Sequence, residues 1–153
     1  MADADDLRAQ LDALTKALDA AHVPYAICGA LALAIHGHPR ATKDLDVLTP
    51  PEQIATLKAV ARGLGFTLEA LPMTFSGSGI TVHRVNRISA GKLLTLDIID
   101  ASGALAAVWE TREQVATERG PLWVVSRQGL VTMKLAAGRP QDLADLVALE
   151  GSS

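Results

Sequence analysis

The chain has 153 residues, 49% hydrophobic and 20% charged, which supplies enough apolar material for one core, excludes a disordered chain and leaves little room for a second full domain. Fourteen Lys and Arg against 17 Asp and Glu give a formal charge of -3, which argues against broad electrostatic binding to nucleic acid or anionic lipid while leaving a local basic patch open. A single cysteine, Cys28, excludes an internal disulfide and a Cys-rich zinc cage; with no basic-then-apolar leader and no apolar run of roughly 20 residues, the expectation is a cytoplasmic protein that does not cross a membrane.

In chain order, Leu7, Leu11, Leu14 and Leu18 recur at helical spacing and predict an amphipathic helix from about Ala4 to His22 that covers the core. After Pro24, Tyr25-Ala26-Ile27-Cys28 reads as a short buried strand that stops at Gly29, where the chain can turn tightly. Ala30 to Ile35 reads as a helix apolar nearly all round, ended by Gly37 and Pro39. Asp44 to Leu48 reads as a second strand, and Pro50-Pro51 opens a helix to about Arg62 with Gly63 at its exit, so the order begins α-β-α-β-α. Phe66 to Leu71 and Ile80 to Val85 are further strands flanking the loop Ser76-Gly77-Ser78-Gly79, and Leu93 to Ile99 is another. Trp123-Val124-Val125 is a short apolar strand, Ser126 a helix cap, and two helical segments follow with a break at Gly138 to Pro140. The expected fold class is α/β (α+β), a mixed central β-sheet flanked by helices, forming a single domain over residues 1–150 with a frayed, disordered tail Gly151-Ser152-Ser153.

The most informative stretch is Gly29-Ala30 followed, after one helix, by Arg40-Ala41-Thr42-Lys43-Asp44-Leu45-Asp46. Side chains two apart on a strand share a face, so both carboxylates point one way while Leu45 and Val47 point into the core. Two like charges held together need something positive between them, and hard oxygen ligands suit Mg²⁺, which keeps waters and also binds phosphates. Asp97 lies inside the apolar strand Leu93 to Ile99, where an unpaired charge is costly, and it is the candidate third member.

Other polar residues carry a weaker chemical signal. Lys134 interrupts an apolar helix containing Leu130, Val131, Met133 and Leu135, a pattern that also fits a lysine whose stem covers apolar surface while its charge reaches water. Arg40 and Lys43 fit local partners of the neighbouring aspartates as well as a phosphate or acceptor contact, and Thr42 fits a turn-shaping role. His36 and His38 lack a third ligand at a metal spacing. Gly91-Lys92 lacks the glycine and hydroxyl of a phosphate loop, with Asn86 and Leu93 at those positions. The Ser76–Gly79 segment reads as a mobile rim, Arg84 and Arg87 as solvated arginines or an acceptor groove, and Cys28 as core packing.

The run Ile27-Cys28-Gly29-Ala30-Leu31-Ala32, through His36-Gly37 to Arg40-x-Thr42-x-Asp44-x-Asp46, resembles the polymerase beta-like nucleotidyltransferase superfamily, most closely its small AbiEii-type toxin branch. Val125-Ser126 leading through Leu130 to Lys134, then Arg139, Asp142 and Asp145, is similar to that branch's carboxy-terminal helical motif, so the resemblance spans most of the chain. It implies the nucleotidyltransferase fold and a Mg²⁺-dependent enzyme that moves a nucleoside monophosphate from an NTP to an acceptor. In that reading Asp44, Asp46 and Asp97 hold two Mg²⁺ ions, Asp97 also draws the acceptor proton, and Gly29, Ala30, Arg40, Thr42, Lys43 and Lys134 bind the nucleotide, with Lys134 as the phosphate cation. The acceptor is an RNA, a protein or a small molecule, and a toxin role would bring a cognate antitoxin protein as partner. An aminoglycoside or lincosamide nucleotidyltransferase is an alternative. So is a catalytically silent nucleotide-binding or protein-interaction domain of the same fold, because Ala30 stands where the superfamily usually has a second glycine or a serine.

Overall fold

A computed structural model describes residues 3–39, 42 and 44–150. The first helix, α1 (Asp3–Ala20), buries Leu7, Leu11, Leu14 and Leu18, the stripe set by its leucine spacing. Strand β1 is only Ala26–Ile27, and α2 (Gly29–Ile35) follows with a single residue between. Strand β2 (Asp44–Thr49) leads through a 3₁₀ turn at Pro51–Gln53 into α3 (Ile54–Gly63), so the expected helix from Pro51 opens as a tighter turn before becoming α-helical. Two-residue strands β3 (Leu68–Glu69) and β4 (Met73–Thr74) precede the long hairpin of β5 (Thr81–Ser89) and β6 (Lys92–Asp100). Then come α4 (Ala106–Glu110), β7 (Glu113–Thr117), β8 (Gly120–Val124), α5 (Arg127–Ala137) and α6 (Pro140–Glu150).

All eight strands belong to one mixed sheet with the order β3-β5-β6-β2-β1-β8-β7, and β4 also pairs with β5. Strand β2 runs parallel to β6 and antiparallel to β1, while β5 and β7 are antiparallel to β6 and β8. The centre of the sheet is the driest part: Ile27, Leu45, Val47, Leu48, Leu96, Ile98 and Val124 are fully buried. Burial of this kind stabilises each side chain by roughly 1.5–3 kcal/mol and fixes the register, because a one-residue slip of β2 would drive Asp44 and Asp46 into the core. The expected fold class, a mixed sheet flanked by helices, is the observed one.

Differences from the sequence reading are confined to the edges. Phe66 does not begin a strand but plugs the core at 1% exposure, leaving only Leu68–Glu69 to pair with β5. Strand β4, helix α4 and strand β7 carry no pattern that marks them, being two to five residues long, with both β4 residues and all but Val115 of β7 exposed. The Ser76–Gly79 segment is a hydrogen-bonded turn rather than a loose rim, since Phe75 N–H donates to the Ile80 carbonyl at 2.9 Å and Gly79 N–H to that of Phe75 at 2.8 Å. The expected tail at Gly151–Ser153 and the positions of Arg40 and Lys43 lie outside the described residues. No described helix is long and apolar enough to cross a membrane.

Candidate active site

Period-two alternation along β2 buries Leu45 and Val47 and turns Asp44 and Asp46 to the opposite face. Parallel pairing sets Asp46 directly beside Asp97 of β6, and antiparallel pairing sets Asp97 directly beside Arg84 of β5. Three neighbouring strands therefore line up Asp46, Asp97 and Arg84 in a row, with Asp44 one step along the same face of β2. A cleft of about 350 Å³ opens over this row and is also lined by Gly29, Ala30, Thr42, Lys134, Arg139 and Asp142. A second, shallow depression beside Pro24, Tyr25 and Trp123 contains none of the expected site residues.

Gly29 is what lets Asp46 sit where it does. Its φ of +65° is left-handed, and a Cβ built there would stand 2.2 Å from Asp46 Oδ2, so any side chain at this position collides with the carboxylate. The Cys28 N–H donates to the Asp46 carbonyl at 2.9 Å and ties the turn to β2. The Thr42 hydroxyl accepts from the Asp44 N–H at 3.2 Å, the turn-shaping role that its position suggested.

The electrostatics are those of crowded acids. Burial, then Asp97, then Asp44 push the Asp46 carboxyl up to about 7, with Arg139 and Lys134 pulling the other way. Burial and Asp97 raise Asp44 as well, against the pull of Arg84. Asp97 is answered directly: Arg84 Nε donates to Oδ1 at 2.8 Å and Nη2 to Oδ2 at 3.0 Å, a two-pronged pair that raises the guanidinium's own pKa. Cys28, buried between this row and the core, has its thiol pushed well up by burial and then by Asp46, which fits packing rather than reactivity.

Lys134 departs from the expected lysine on a wet face. It is 5% exposed, and its Nζ lies 2.9 Å from Asp145 and 3.6 Å from Asp142, both on α6 and both buried. A lysine stem could not carry its charge to water here, because α6 folds back across α5 at Gly138, whose φ of +63° closes the helix. Arg139 completes the group with Nε 2.7 Å and Nη2 3.2 Å from the Asp142 carboxylate. Burial alone would raise Asp142, but the bonds and charge of Arg139, with Lys134 beyond, hold it below the usual carboxylate range. His36 is not a ligand: its Nε2 meets the Val125 carbonyl at 2.9 Å and joins α2 to the start of α5.

The sequence offers Arg84 as a solvated or acceptor-groove arginine and Asp142 and Asp145 as members of a helical motif, whereas the structure pairs Arg84 with Asp97 and sets both carboxylates against Lys134. A signal for Arg84 was present, because the two-residue turn Ala90-Gly91, with φ of +52° and +76°, fixes the β5–β6 register and hence the Arg84–Asp97 pairing.

Asp44, Asp46 and Asp97 supply hard oxygen donors on one face of adjacent strands, and the charge crowding at Asp46 is what a divalent cation would relieve, so the donor set fits Mg²⁺ in kind. The set is not pre-assembled: among the described residues no three His, Cys, Asp or Glu side chains already stand at ligating range of a common point.

Residues 5–150 match the family described as nucleotidyltransferases of unknown function (DUF6036), and the chain belongs to that family. It is a nucleotidyltransferase enzyme whose substrate the family description leaves unspecified. No curated protein matches the sequence. Among solved structures, TM1012 of Thermotoga maritima, described as a nucleotidyltransferase, superposes with a TM-score of 0.64 at 17% identity, over 100% of this chain and 97% of that one. ANT(2")-Ia, solved with adenylyl-2"-tobramycin, gives 0.61 at 16% identity over 94% of this chain and 87% of its own. JHP933 of Helicobacter pylori gives 0.52 at 17% identity over 92% of this chain and 63% of its own. These likenesses establish the nucleotidyltransferase fold.

Proposed function

We propose that this nucleotidyltransferase is Mg²⁺-dependent, takes an NTP, and transfers its nucleoside monophosphate to a hydroxyl of an acceptor, with Asp44, Asp46 and Asp97 as the metal-holding residues. The observation that carries the reading is the in-register placement of Asp46 beside Asp97, with Asp44 on the same face, over a cleft bordered by Gly29 and three cationic side chains, Arg84, Lys134 and Arg139. When bound there, divalent metal supplies charge neutralisation for the attacking and leaving oxygens.

The chain's own residues do the rest. Gly29, whose missing side chain makes room for the Asp46 carboxylate, lies with Ala30 on the cleft wall beside which the triphosphate would bind. Arg139, itself well exposed, presents its guanidinium to the phosphates, and the enclosed Lys134 fixes positive charge behind them. Thr42 lines the cleft, and Arg40 and Lys43, close to it in sequence, are the further cations proposed to contact the nucleotide. Asp97 accepts the acceptor's hydroxyl proton as the oxygen–phosphorus bond forms and the bond from the α-phosphorus to the pyrophosphate oxygen breaks. Proton, nucleotidyl group and pyrophosphate are then all accounted for.

The far wall of the cleft is apolar, built from Met73, Phe75, Ile80, Val82 and Ile99. Among the described residues the only other carboxylate lining the cleft is Asp142, which is already bonded to Arg139. That wall favours a neutral, partly apolar group over the polyamine of an aminoglycoside such as the tobramycin of the ANT(2")-Ia complex. An RNA end, a protein hydroxyl or a neutral small molecule remains as acceptor, and a toxin of the AbiEii kind with an antitoxin partner is one setting for the first two.

The test is incubation of the full chain with Mg²⁺, each α-labelled NTP and a cell extract. The expected result is a labelled acceptor plus pyrophosphate, abolished by Asp46→Ala. No label with any nucleotide would favour the catalytically silent domain instead.

A further inference from the structure

Arg84 answers Asp97 with a two-pronged pair, as Arg139 answers Asp142, but of the two only Arg84 grips one of the three aspartates proposed to hold metal. Both carboxylate oxygens are engaged by one guanidinium, at 2.8 and 3.0 Å, and the two residues are direct neighbours across β5 and β6. The Asp97 side chain is 11% exposed and recessed, whereas that of Arg84 is 40% exposed, so the cation alone has an open path. Lys134, by contrast, is enclosed at 5% with its partner carboxylates equally buried. Asp97 also stands directly beside Asp46, so it cannot shed a positive partner without acquiring another.

We propose that Arg84 is a displaceable clamp on Asp97: its guanidinium holds the carboxylate while the cleft is without metal and swings out when a divalent cation takes the same oxygens. The inference rests on the proposed metal-holding role of Asp97. It accounts for the absence of a ready-made three-carboxylate cage among the described residues, because the third carboxylate is occupied by a side chain until the exchange. The exchange replaces one positive charge by two, which the neighbouring Asp44 and Asp46 favour. Arg84 is thus a positioning residue, setting the threshold at which metal enters.

The experiment is a Mn²⁺ titration without nucleotide, followed by electron paramagnetic resonance of the free ion, on the full chain and its Arg84→Gln and Arg84→Lys variants. In parallel, the Arg84 Nε–H signal of the unsubstituted protein is followed by ¹⁵N NMR during Mg²⁺ addition. With the competitor removed, Arg84→Gln is expected to bind Mn²⁺ roughly fivefold more tightly, with Arg84→Lys in between. The Nε–H signal should shift and exchange faster as Mg²⁺ saturates. Unchanged or weaker Mn²⁺ binding by Arg84→Gln, no binding by any of the three proteins, or an unmoved Nε–H signal overturns the clamp. If the glutamine variant does not fold, the NMR titration decides alone. Labelled-nucleotide transfer persisting alongside an unmoved Arg84 would sink the clamp and leave the proposed reaction standing.

Discussion

Gly29 and Asp46 show how a single position can serve both fold and chemistry. Gly29→Ala places a Cβ against the Asp46 carboxylate at a backbone angle that alanine adopts only under strain, so it should cost about 2 kcal/mol or more in a urea melt and lower nucleotidyl transfer at least tenfold. Asp46 is itself a source of instability. A carboxyl near 7 in the fold, against 3.8 as its ordinary value, keeps its proton over a range where the unfolded chain has already lost it. The metal-free protein therefore loses stability as pH rises from about 4 to about 7, and the whole deficit is present above that window. Asp46→Asn should raise metal-free stability at pH 8 by roughly 1–2 kcal/mol, with a smaller gain at pH 5; equal gains at the two pH values in thermal melts would contradict it. The three aspartates were legible in the sequence because an acid within an apolar strand needs a reason. The partners of Lys134 were not, because Asp142 and Asp145 reach it only once α6 has folded back, a distance along the chain that helical periodicity does not report.

Helix α5 carries Lys134 to the cleft, and its start is set by Ser126, whose hydroxyl accepts from the Gly129 N–H at 2.9 Å. Ser126→Ala should cost about 1 kcal/mol of stability in denaturant melts and leave the three aspartates in place, so nucleotidyl transfer should fall less than it does with Gly29→Ala. Gly129 on the next turn is required for packing: a Cβ there would stand 2.9 Å from Val108 on α4. Long elements with a buried stripe, such as α1 and β2, were readable from periodicity alone. Strand β7 was not, since Gln114 and Ala116 are as exposed as Glu113 and Thr117 on a sheet edge and no apolar alternation forms. Its place is set by the turn into β8, through the Thr117–Gly120 pairing.

At the scale of the molecule, the sheet order sets the acids of β2 and β6 side by side at its centre, with β5 adding a cation and α5–α6 closing the opposite wall. The net charge of -3 makes a small, local contact to acceptor more natural than a broad phosphate-tracking groove. Transfer to the endogenous acceptor in extract should therefore depend only weakly on salt between 50 and about 200 mM, and tobramycin added as acceptor should take no label above background. The central claim, that Asp46 and its two neighbours hold divalent metal with the nucleotide, is tested most directly by Mn²⁺ binding in the presence of each α,β-methylene NTP analogue. Tight Mn²⁺ binding with at least one analogue, weakened tenfold or more by Asp46→Asn in a protein that still melts cooperatively, is the expected result; equal binding by the two proteins would contradict it.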